Sequence, residues 1–228
     1  MAFYYLFLGH LVGDFVLQTD KIAENKGRQW KWNLLHVLVV TLSVLLFSYP
    51  FGALLSVLVI LNGLVHYILD HYKSDICKIL HLSELAGFLG DQFIHIVLLY
   101  FISLTAVYEK ELLIEFTTVK LLIILSIVTS FLAIFTQYVL AALFPGENRR
   151  FFENGEKIFG MLSRIYITIV FYLSFHKSPL YLVFLALAVI LFFVQYKRIW
   201  RNWMSLPHLL AKLLLDMAVP VLCIIMVM

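Results

Sequence analysis

The residues with types and spacing suited to chemistry lie in two apolar runs, His66-Tyr67-Ile68-Leu69-Asp70 and Asp91-Gln92-Phe93-Ile94-His95. In each, a histidine and an aspartate are four residues apart. On a helix they share one face, about 6 Å apart along the axis. The second pair is the first read backwards, so two antiparallel helices joined by a short polar connection would bring His66 opposite Asp91 or His95. Ionisable side chains within long apolar segments are costly and usually functional. Imidazoles meeting carboxylates there form a ligand set for a divalent metal. His10, Asp14 and His36 recur in two earlier apolar stretches and raise the set to seven.

The elements that must position these residues are membrane-spanning helices. The 228 residues are 63% hydrophobic and only 14% charged, with a mean hydropathy of +0.96. A soluble domain is about half apolar, so the composition points to an integral membrane protein. The expected fold is all-α, a polytopic transmembrane bundle of eight spans: residues 1–18, 33–49, 51–73, 86–108, 116–144, 158–175, 180–196 and 206–227. The chain reads as one transmembrane domain, 1–228, with a motif-bearing four-helix half (1–108) and supporting helices (109–228).

The loops after spans one, three, five and seven carry twelve Lys and Arg, against Lys110, Lys120 and Lys177 on the other side. Positive charge marks the cytoplasmic side, which places both termini outside. With that topology, four helices deliver all seven His and Asp to one layer in the cytoplasmic half of the membrane. The first 18 residues lack a basic segment and a small-residue cleavage site, so a cleaved signal peptide is not expected.

Neutral imidazole and carboxylate without thiolate suit zinc, with manganese or iron(II) next and copper(I) disfavoured. Cys77 and Cys223 show no CxxC spacing, hence neither a disulfide framework nor a Cys-based site. His66, Asp70, Asp91 and His95 are the expected first ligands, with His10 and His36 as further candidates and Asp14 as a catalytic base. Seven groups exceed one tetrahedral shell. Either two metals bind, or some groups orient the ligands.

The bland alternative is a hydrogen-bond network between helices, but such glue would more often use Ser, Thr, Asn and Gln. Asp70 alone could pair with Lys73. Arg164, inside span six, could receive a substrate phosphate or carboxylate or pair with Asp216. Lys212 and Asp216, at i and i+4, suggest an intrahelical ion pair. His71, His81 and His208 fall at loops or interfaces and read as solvated. No basic, aromatic-interleaved patch supports nucleic-acid binding.

The series His10-Leu11-Val12-Gly13-Asp14-Phe15-Val16-Leu17-Gln18, then His36, His66-x-x-x-Asp70 and Asp91-Gln92-x-x-His95, resembles a bacterial inner-membrane family catalogued only as a domain of unknown function. The resemblance covers about residues 5–105. A weaker likeness continues through Ile158–Arg164, where Ser163 replaces the usual Glu. More distantly, the motifs are similar to the LexA-regulated membrane-bound metal-dependent hydrolases, which implies a metal and suggests hydrolysis.

The expected function is therefore an intramembrane metal-dependent hydrolase acting on a membrane lipid or lipid-like substrate from the cytoplasmic leaflet. Arg164 would hold a phosphate. The rival is a divalent-cation or proton transporter using the same cluster, although no repeat or ladder of polar groups to the outer half is evident. A scaffold whose polar cluster only fixes helix packing is the third reading.

Overall fold

A computed structural model of the chain describes residues 1–145, 156–175 and 205–227, with 180, 182, 183, 186, 187 and 190. Among these residues the secondary structure is helical, without strands. The seventh expected span lies outside the described residues except at those six positions, as do the loop cations Arg149, Arg150, Lys177, Lys197, Arg198 and Arg201. Five helices are long and apolar enough to cross a membrane: Trp30–Phe51, Ala53–Ile79, Glu84–Ser103, Phe116–Leu143 and Leu206–Cys223. Two more, Ala2–Val16 and Gly160–Ser174, are apolar but shorter. The chain divides into two compact units, Met1–Ser126 and Ile127–Met228.

In the first unit, α1 (Ala2–Leu11) runs into a π-helical turn, Val12–Val16, closed by Leu17 N–H donating to Val12 O at 2.8 Å. A short helix α2 (Asp20–Asn25) follows, capped by the Thr19 hydroxyl, which accepts from Ile22 N–H. α3 (Trp30–Ser48) packs closely on α1 because Gly9 and Gly13, four residues apart, leave room for its backbone. A Cβ on Gly9 would lie 2.5 Å from Val44 Cα, and one on Gly13 2.6 Å from Val40 Cα. Small residues at this spacing let helix backbones approach.

Pro50 sits in a 3₁₀ turn (Tyr49–Phe51), and Gly52 then takes φ +94°, which a side chain would disfavour. α4 (Ala53–Ile79) extends six residues past the expected end of span three, because no Gly or Pro interrupts residues 73–79 despite their polarity. It stops at His81, whose φ of 51° allows Leu82 N–H to reach Cys77 O. Ser83 caps α5 (Glu84–Ser103) by accepting from Ala86 N–H. α6 (Phe116–Ser126) completes the unit and packs against α1, while Tyr5 donates to Ile114 O at 2.6 Å.

The second unit begins with another π-helical turn, Ile127–Phe131, which leads into α7 (Leu132–Leu143). It also contains α8 (Glu156–Phe175) and α9 (Leu206–Val227), which pack on one another.

Candidate metal centre

Every His and Asp of the N-terminal motifs converges inside the first unit. α1 contributes His10, and the π-helical turn contributes Asp14. α3 carries His36, α4 carries His66 and Asp70, and α5 carries Asp91 and His95. All are buried except Asp91, which is half-buried; His36 and His95 are 1% exposed. The i, i+4 spacing does what it predicts, with His66 Nε2 3.6 Å from Asp70 Oδ2 and His95 Nε2 3.2 Å from Asp91 Oδ1. The antiparallel α4–α5 pair stacks the rings of His66 and His95 at 4.0 Å between centroids. His10 stands 5.4 Å from His95 and 5.9 Å from His66, and His36 stands 5.3 Å from His66.

The π-helical turn matters because its extra residue alters how Asp14 projects relative to His10. Asp14 Oδ1 comes within 3.1 Å of His36 Nε2, while His10 Nε2 stays 3.9 Å from Oδ2. Gln92 spans these helices. Its Nε2 donates to Asp14 Oδ2 at 3.0 Å, so its Oε1 accepts, which assigns the His10 Nε2 proton to their 3.3 Å contact.

Two groups of ligand atoms are close enough to share an ion. Those of Asp14, His36 and His66 all lie within 4.8 Å of one another, and so do those of His66, Asp70 and His95. Atoms on a tetrahedral zinc, about 2.0–2.1 Å from the ion, are roughly 3.3 Å apart. The contacts at 3.1 and 3.6 Å, with His36 Nε2 3.3 Å from Asp70 Oδ2, need little adjustment to meet that. His95 Nδ1 has no hydrogen-bond partner, and Nε2 meets Asp91 Oδ1 at 3.2 Å outside hydrogen-bonding geometry. Asp70 Oδ2 has ionic neighbours at 3.3 Å, but none in hydrogen-bonding geometry. These buried His/Asp clusters could hold a metal ion.

Sequence reading missed three contributors. Gln92 belonged to a motif without an assigned role. Lys26 counted only as loop charge, and Lys73 as loop charge or a partner for Asp70, yet both turn inward. Lys73 Nζ pairs with Asp91 Oδ2 at 2.9 Å across the helix pair, not with Asp70. Lys26 Nζ lies 3.0 Å from His36 Nε2, 3.3 Å from Asp70 Oδ2 and 3.6 Å from Asp14 Oδ1. Burial works against the Lys26 ammonium, but Asp14, Asp70 and Asp91 outweigh it and hold its pKa above the ordinary lysine value. The available signal was charge balance, since buried aspartates need cations.

Arg164 is in the second unit, where all its described contacts are internal. Nε donates to Val128 O at 2.7 Å, one terminal nitrogen to Thr129 O at 3.2 Å, and the other to Asp216 Oδ1 at 3.1 Å. Lys212 meets the second oxygen of Asp216, as the i, i+4 spacing predicts. His208 is buried and stacked on Phe144 at 4.9 Å, which corrects its reading as solvated. It lies on the face of α9 shared with Lys212 and Asp216, which points into the unit.

Fold and site together define an all-helical protein, with helices able to span a membrane, built around a buried His/Asp centre. The family model described as Protein of unknown function (DUF3307) matches residues 2–124, more than half of the chain, and the chain belongs to that family. No curated protein and no solved structure matches it. The matched segment contains the whole His/Asp centre and excludes Arg164.

Proposed function

We propose that the chain is an intramembrane metal-dependent hydrolase that takes a lipid or lipid-like substrate from the cytoplasmic leaflet of a bacterial inner membrane. The observation that carries this reading is the convergence of His66, Asp70 and His95 in one buried group of ligand atoms, where His95 Nδ1 has no partner and the carboxylates of Asp70 and Asp91 approach the imidazoles outside hydrogen-bonding geometry. A structural network normally satisfies its buried polar groups. This cluster leaves open the atoms that a divalent ion uses.

Zinc suits the donor set, with His66, Asp70 and His95 as ligands, and His10, His36 and Asp91 bordering them. When bound, zinc supplies Lewis acidity and brings the pKa of a coordinated water toward neutrality. Asp91, held by Lys73, steadies His95. Asp14 has one oxygen fixed by the Gln92 amide and the other beside His36, which positions it to take a proton as general base. A substrate-binding role for Arg164 requires an incoming anion to take over the contact now made by Asp216. The distant likeness to LexA-regulated membrane-bound metal-dependent hydrolases points to the same reaction class.

The sidedness follows from the twelve-to-three asymmetry of Lys and Arg, which supports eight spans with both termini outside. A reporter fused after Met228 is expected on the outer side, and a cytoplasmic signal would overturn that topology. For the activity, elemental analysis of the detergent-purified protein is expected to find zinc. Ester, amide and phosphoester lipids in mixed micelles should include one hydrolysed in a chelator-sensitive way. Metal-dependent divalent flux in proteoliposomes, with no hydrolysis, would replace the hydrolase by the transporter.

A further inference from the structure

Lys26 is the one cation that reaches the middle of the His/Asp cluster among the described residues. Its ammonium lies between three groups from three different elements: Asp14 on the π-helical turn, His36 on α3 and Asp70 on α4, at 3.6, 3.0 and 3.3 Å. Two of these, with His66, form one of the groups of convergent ligand atoms; the third belongs to the other. An imidazole nitrogen can ligate only one ion, so His66 cannot serve both groups. It stays with Asp70 and His95, leaving Asp14 and His36 as a separate corner. The Asp70 carboxylate stands between them, Oδ2 being 3.3 Å from His36 Nε2 and 3.6 Å from His66 Nε2. A carboxylate shared in this way is how paired sites hold two ions about 3.5–4 Å apart.

We infer that Asp14 and His36, with Asp70 between the positions, form a second divalent-cation position, and that the tethered ammonium of Lys26 fills it, so that the centre holds one metal ion and not two. This rests on the metal reading proposed above and fixes the number of ions. Charge balance supports it. Three carboxylates (Asp14, Asp70, Asp91) face two ammoniums (Lys26, Lys73), leaving one negative charge, and a single divalent ion turns this into one positive charge, the smallest surplus of the loaded states. A second divalent ion beside Lys26 would leave three surplus positive charges in a low-dielectric site. Exchanging the ammonium for that ion leaves two. Lys26 comes from the connection between α2 and α3 and is partly exposed, so its side chain has a path out to solvent.

The test is zinc content per chain after equilibration with saturating zinc, for the wild type, Lys26→Met, Lys21→Met and the double variant Lys26→Met/Asp14→Asn. Lys21 is an exposed lysine of the same segment. The expected counts are one ion in the wild type and Lys21→Met, two in Lys26→Met, and one again in the double variant. With cobalt in place of zinc, Lys26→Met should show magnetic coupling between two ions that the wild type lacks. Lys26→Gln serves if Lys26→Met does not fold.

One ion in both wild type and Lys26→Met overturns this inference and leaves the metal reading standing. Two ions in the wild type overturn it as well. No ion in the wild type but one or more in Lys26→Met overturns the one-ion count and removes the metal from the native reaction. No ion in either overturns both.

Discussion

Arg164 and His95 are equally well buried, at 3% and 1% exposed, yet their surroundings differ in kind. In the second unit, the π-helical turn presents the carbonyls of Val128 and Thr129, and with Asp216 they give each guanidinium nitrogen an acceptor. Lys212 then answers the other oxygen of Asp216. In the first unit, a π-helical turn again interrupts a helix at the polar cluster, but its aspartate is aimed into a crowd of imidazoles and carboxylates. His95 keeps Nδ1 without a partner, while its Nε2 and Asp70 Oδ2 meet their ionic neighbours only outside hydrogen-bonding geometry. Buried polar groups that are all paired fix a fold, whereas buried ligating atoms left open wait for something to bind. The same device, a widened helical turn, serves cohesion in one unit and presentation in the other.

Breaking the paired cluster should have the largest effect on stability. Arg164→Ala removes the side-chain donors to two carbonyls and one oxygen of Asp216, and removing one partner of a buried ion pair costs about 3–5 kcal/mol. A large fall in thermal midpoint is expected, with zinc content per folded chain unchanged. Loss of zinc in a folded Arg164→Ala protein would mean that the two clusters are not separable.

Asp14→Asn probes the open cluster through its chemistry. The amide keeps the shape and the contact to Gln92, so most of the zinc should stay. Turnover of the identified lipid substrate should fall by roughly 10²–10⁴-fold, the usual contribution of a general base. Stripped zinc would make Asp14 a ligand, and full turnover would remove its catalytic role.

His66→Ala and Asp91→Asn follow. The first removes a ligand outright. The second weakens the group that steadies His95, an effect on the order of 10–100-fold in metal affinity for such supporting contacts. Competition with a chromogenic chelator measures both. His81→Ala and His208→Ala should leave affinity untouched. If His66→Ala and Asp91→Asn retain full occupancy as well, the open cluster is not the metal centre.

The smallest effect is expected at Gly13→Ala, where the new methyl would press on the backbone of Val40 and force α1 from α3. Overpacking of this kind costs about 1–3 kcal/mol. Because Asp14 is adjacent, the shift should also appear as lowered turnover of the lipid substrate. A stability loss without that change would show the π-helical turn to be more independent of the α1–α3 contact than its geometry suggests.

Several of these features were written in the sequence because they depend on local spacing. The i, i+4 pairs of α4 and α5 and the Lys212–Asp216 pair follow from 3.6 residues per turn, and the long apolar runs follow from composition. The end of α4 was misjudged because polarity was taken as a loop signal, although residues 73–79 contain no Gly or Pro to break the helix. Neither π-helical turn was visible, since one extra residue in a turn leaves no mark on an apolar stretch. The placement of Lys26 was hidden for a different reason. A loop lysine reads as solvated charge until the fold closes over two buried aspartates and a half-buried third, and their shared field draws it inward. Which cluster is saturated and which is left open was decided only by the tertiary structure, because satisfaction of a buried group depends on partners distant in the chain and on the direction each one faces.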